Sequence, residues 1–137
     1  MTAATDTRSR ADRLGRDRRS CRRVEVRDRR RNGRIAAAAG TVSLQVTNTG
    51  MITHELVVLS LAAGQRIGAR TVGADGKVDE AGSLGEASNS GGSGSGEGIE
   101  PGASSRVTVT LAPGRYELVC NLMGHYVSGM HRQLKVT

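Results

Sequence analysis

The sequence predicts an all-β fold, a small antiparallel sandwich or Greek-key barrel, and three observations lead there. Apolar and polar residues alternate at period two in "GTVSLQVTN", "SRVTVTL" and "GRYELVC". Nineteen glycines, concentrated in the middle of the chain, mark turns and loops. No window of sufficient length carries helical periodicity. The chain of 137 residues has no Phe, no Trp and only Tyr116 and Tyr126, so its core must be aliphatic. That length suits one modest domain.

Residues 1–34 hold 13 Arg and no Lys against five acids, a net +8. The remaining residues hold five Arg and two Lys against eight acids, a net −1, so the basicity belongs to a leader rather than to the domain. Without apolar periodicity this leader is expected to be disordered. An Arg-rich run can bind nucleic acid or acidic lipid, but it is more often simply solvated, so a nucleic-acid partner is not expected.

The domain is expected over residues 35–137. "GTVSLQVTNTG" reads as a half-buried strand with Val42, Leu44 and Val46 inward, ending in an Asn-Thr-Gly turn. "ITHELVVLSL" reads as a second strand, apolar on both faces. Residues 73–105, with "ADGK" and "SNSGGSGSGEG", read as a flexible insertion that packs nowhere. "SRVTVTL" resumes the alternation. After the turn at Pro113-Gly114, "RYELVC" puts Tyr116, Leu118 and Cys120 on one face, and "RQLKVT" closes with Leu134 and Val136 inward.

Chemistry concentrates in "CNLMGHYVSGM", where Cys120, His125 and Met130 recur every five residues on the loop before the last strand. Gly124 and Gly129 each precede a donor, where a tight loop needs permissive backbone. His54 lies just after the turn at Gly50, at the same end of the sandwich. Beside "ELVVL" it would be a costly buried polar group without a partner. The set is two imidazoles, one thiolate and one thioether. Structural zinc rarely takes a thioether and catalytic zinc leaves a position open. Two His, one Cys and a weak axial Met are the donors of a blue-copper electron-transfer site. Cys120 is therefore read as a ligand, and Cys21, among arginines, as incidental. His131 is expected at the surface, not on the metal.

Rival chemistries lack parts. "HELVV" has Val58 where a zinc protease needs its second His, and the glycine run lacks a following Gly-Lys-Ser/Thr. A Cys120/His125 nucleophile pair has no third group. Three histidines are too few for a multicopper oxidase, so an enzyme is not expected. Nor does any stretch approach the roughly 18 apolar residues of a membrane span.

"HELVVL", "APGRYELVC" and "CNLMGHYVSGM" together resemble the cupredoxins, above all rusticyanin, auracyanin and sulfocyanin, which share the four-residue spacing between loop ligands. The resemblance covers about residues 40–137. It implies a cupredoxin-like sandwich holding one copper ion, with His54, Cys120 and His125 equatorial and Met130 axial. It implies a monomer passing single electrons between redox protein partners, in an extracytoplasmic, periplasmic or membrane-associated setting. A copper carrier or sensor is the alternative. Tyr116 resembles the tyrosine that opens the Cys-bearing strand. His125, with Tyr126, would mark the apolar face where partners dock. Glu55 and Asn121, each next to a ligand, are candidates to support the site by hydrogen bonding. Three departures stand out. The Arg-rich segment occupies the place of the family's first strand, so that edge of the sandwich can be missing; the core lacks Phe; and Met123 stands where many relatives have Pro.

Overall fold

The computed structural model describes residues 24–28 and 35–137 of the chain. All of its regular elements are strands: β1 (Val24–Asp28), β2 (Ala36–Ala37), β3 (Gly40–Asn48), β4 (Leu56–Leu61), β5 (Gly85–Ala87), β6 (Ser104–Leu111), β7 (Gly114–Val119) and β8 (His131–Val136). They form a three-stranded sheet, β1-β3-β6, and a five-stranded sheet, β2-β8-β7-β4-β5. Every pairing is antiparallel except the short β2–β8 ladder.

Period-two alternation builds the core. Val42, Leu44 and Val46 of β3 face inward beside Val107, Val109 and Leu111 of β6, and meet Leu56, Val58, Leu118 and Leu134 of the other sheet. Full burial of each such aliphatic contributes about 1.5–3 kcal/mol. That replaces what aromatic residues supply elsewhere. Tyr116 donates its phenol O–H to the Ala112 carbonyl at 2.7 Å and pins the β6–β7 turn.

β4 is buried on both faces, as its unbroken apolar run predicts. Val57 and Leu59 face away from the main core and join Val119, Tyr126 and Val78 in a second cluster. Residues 62–80 therefore cover the outer face of the five-stranded sheet.

Two findings differ from the sequence expectations. Val24–Asp28, inside the segment read as a disordered leader, pairs with β3 from Val24↔Asn48 to Asp28↔Leu44. The three-stranded sheet thus has the edge that the Arg-rich composition left unfilled. The reason is legible in retrospect: "VEVRD" is one short stretch of alternation within the basic run. The rest of the leader, Cys21 included, lies outside the described residues.

The Gly/Ser segment is also packed rather than loose. The Gly94 N–H donates to the Arg106 carbonyl and the Arg106 N–H to the Gly92 carbonyl, which adds the segment to the edge of β6. A Cβ at Gly96 would stand 2.6 Å from the Ser88 carbonyl oxygen, and one at Gly98 2.3 Å from Thr53 Cγ2. Glycine here permits close approach of backbones rather than freedom.

Candidate metal centre

The site forms where the β3–β4 turn meets the β7–β8 loop. Asn48, buried at the end of β3, folds that turn with three hydrogen bonds. Its amide donates to the Ile52 and Ile99 carbonyls at 2.7 and 2.8 Å, and its oxygen accepts the Gly50 N–H at 2.8 Å. His54 follows, joined to Ile99 by a two-way backbone bridge of 3.1 and 2.7 Å. The main chain of His54 is thus held through both its N–H and its carbonyl, and its ring is fully buried.

The β7–β8 loop closes on itself. The Cys120 N–H donates to the Met130 carbonyl at 3.0 Å, which brings the loop's two ends side by side. The Met130 N–H donates to the His125 carbonyl at 3.1 Å. Positive φ at Gly124 (80°) and Gly129 (102°) allows these turns.

The two elements bring together His54, Cys120 and His125, whose donor atoms all lie within 4.8 Å of one another. His54 Nδ1 stands 3.7 Å and His125 Nδ1 3.1 Å from Cys120 Sγ. Donors about 2.0–2.3 Å from a shared ion stand roughly 3.3–3.7 Å apart, so the trio fits an ion at its centre. Burial, then the charge of His125, lowers the His54 pKa to about 4, and burial lowers that of His125. Both rings are therefore neutral near pH 7, with a lone pair available. His54 Nε2 is buried and has no hydrogen-bond partner. Leaving a polar atom so costs about 1–3 kcal/mol, which an ion held at Nδ1 would offset.

Met130 is buried at the loop's end, beside Cys120. Glu55 serves the sulfur through its backbone, for its N–H points at Cys120 Sγ from 3.3 Å. Its carboxyl is instead pushed up to about 7, by burial first and then by Glu86 and Glu80. The Asn121 backbone N–H serves the Glu55 carboxyl, while its side chain turns toward residues 62–80. Its side chain accepts the Val78 N–H at 2.8 Å and donates to the Val78 carbonyl at 2.9 Å. Tyr126 is misplaced by the sequence reading: it is only 2% exposed and forms part of the second cluster. Met123 and Val127, 72% and 68% exposed, flank the half-buried His125 instead. His131 is half-buried against Tyr126, ring centroids 5.0 Å apart, and is not in the metal group.

Sequence reasoning missed Asn48, Ile99, Arg70 and Glu117. The Asn-Thr-Gly turn signals Asn48. Nothing in "RYELVC" shows that the outward Glu117 is covered.

The family model for the sulfocyanin (SoxE) domain matches residues 33–137. The chain belongs to the sulfocyanin family of cupredoxins. Solved cupredoxins share its fold. Auracyanin from Roseiflexus castenholzii aligns with a TM-score of 0.51 at 21% identity, over 74% of this chain and 82% of that one. Auracyanin B gives 0.51 at 26% identity, over 74% and 75%. Rusticyanin from Thiobacillus ferrooxidans gives 0.50 at 17%, over 74% and 59%. Comparison with curated proteins returns no match. Cupredoxins bind one copper ion and are in general electron carriers rather than enzymes. In this cupredoxin the His54–Cys120–His125 group is where such an ion fits.

Proposed function

We propose that this cupredoxin is a blue copper protein that passes single electrons between redox partners. His54 Nδ1, Cys120 Sγ and His125 Nδ1 would hold the ion, with the Met130 thioether as weak axial donor. The observation that carries the reading is the convergence of both Nδ1 atoms on one buried cysteine sulfur, at 3.7 and 3.1 Å. When bound, copper supplies a one-electron couple. The chain's own residues do the rest. Neutral imidazoles and a thiolate give donors acceptable to both oxidation states. The Glu55 N–H disperses charge on the sulfur. Burial of Cys120 and His54 excludes water. His125 is the partly exposed donor, and the apolar Met123 and Val127 beside it offer a redox partner a desolvated contact. Family membership supports an extracytoplasmic or membrane-facing setting, and we take the protein to act as a monomer. Among the described residues no helix is long and apolar enough to cross a membrane.

Electron self-exchange of the copper-loaded protein, measured beside Met130→Leu, tests this reading. The expected result is rapid exchange, with copper retained against a weak chelator in both oxidation states. Met130→Leu should keep the copper but raise the potential, because loss of the thioether disfavours the oxidised ion more. Slow exchange, with copper readily surrendered, would make the protein a copper carrier instead.

A further inference from the structure

Residues 62–80 hold the ligand loop as well as covering the sheet. The Gly76 carbonyl accepts the Gly124 N–H at 2.9 Å, one residue before His125. Asn121, one residue after Cys120, exchanges two hydrogen bonds with Val78. Tyr126, one residue after His125, accepts the Arg70 N–H at its phenol oxygen from 3.2 Å.

The Tyr126 contact leads to a buried charge. Its O–H donates to Glu117 Oε2 at 2.9 Å. Glu117 is fully buried on the outward face of β7, three positions before Cys120. It also accepts Arg70 Nε at 2.6 Å and the Gly68 N–H at 2.7 Å. Arg70 donates in turn to the Ser60 carbonyl on β4. Gly68, at φ +79°, presses on the ring of His131, the residue after Met130; a Cβ there would stand 2.7 Å from Cε1.

A buried ion pair of this kind adds little net stability over a well-packed apolar replacement, and its attested use is to specify geometry. What it specifies here is the orientation of Tyr126, whose ring is fixed at its hydroxyl by two elements while its backbone adjoins His125. We propose that Glu117, Arg70 and Tyr126 are positioning residues that lock the ligand loop before metal arrives and while the metal changes oxidation state. This rests on the copper reading above. A centre so held keeps its donors in place in both oxidation states, and a loosened one lets the oxidised ion relax toward the tetragonal geometry that it prefers.

Tyr126→Phe in the full chain tests the lock, since it deletes one oxygen and keeps the ring. In metal-free protein, amide exchange at Gly124 and Gly129 should quicken several-fold. In copper-loaded protein the visible band should shift to shorter wavelength and the potential should fall. Glu117→Gln should move the same readouts in the same direction, less than additively with Tyr126→Phe, and it decides the matter should Tyr126→Phe not fold. Val42→Ala, a core change remote from the loop, should lower the melting temperature and move none of them. The proposal is overturned if the lock variants match the unmodified protein, or if Val42→Ala moves the readouts equally. Failure of the unmodified protein to take up copper would sink the copper reading alone, because loop exchange in the metal-free state still reports on the lock.

Discussion

His54 and Glu55 are neighbours whose protonation opposes each other in the metal-free protein. The His54 pKa falls from 6.5 to about 4, so between those values the unfolded chain holds a proton that the native state does not. That contribution weakens folding as pH drops through the window. The Glu55 pKa rises from 4.5 to about 7, so there the native state holds the extra proton, and folding weakens as pH rises. From about 4.5 to 6.5 the Glu55 slope offsets that of His54, while His125, also lowered by burial, adds to the His54 direction. Glu55→Gln should unmask the histidines: denaturant titrations of the metal-free variant should show stability rising about 1.4 kcal/mol per pH unit more steeply across that window than in the unmodified protein. A variant profile no steeper than that of the unmodified protein would contradict the assignment. At this scale the donors were legible because five-residue spacing of Cys120, His125 and Met130 is improbable by accident. Glu55 was legible in position but not in means. It serves the sulfur through its backbone N–H, and no side-chain identity encodes that.

Among the elements, the Gly/Ser segment shows how composition misleads. "SNSGGSGSGEG" lacks apolar periodicity and reads as a tether, yet it ends at Ile99, which is fully buried and bridged to His54. Composition records that glycine can move, not that a neighbour lies against it. Gly98 has φ +117°, and an added methyl would stand 2.3 Å from Thr53 Cγ2. Gly98→Ala should therefore lower unfolding free energy by about 1–3 kcal/mol. By displacing Ile99 it should also weaken copper affinity; calorimetry of the variant checks both. Unchanged affinity would mean that the bridge does not seat His54. The strands themselves were readable, because β3 and β6 each bury one face at period two and β7 sends Tyr116 and Leu118 into the core at the same spacing. The cover of residues 62–80 was not, since it depends on which outward residues a distant loop reaches, as Glu117 and Tyr126 show.

For the molecule as a whole, two sheets of aliphatic side chains bring a turn near residue 50 and a loop near residue 125 to one end, and the function follows from that meeting. The sandwich was legible from alternation and the site from its donors. The first strand was hidden because Val24–Asp28 lies in a run dominated by arginine, where five alternating residues carry little weight. Local pattern also cannot show that His54 and Cys120, 66 positions apart, share a wall. Their contact is the central claim. Its most direct test is the visible spectrum of the purified, reduced protein titrated with Cu(II), beside Cys120→Ser. An intense thiolate-to-copper charge-transfer band should saturate at one equivalent in the unmodified protein and be absent from the variant. A colourless unmodified protein, or a variant that stays blue, would contradict the account.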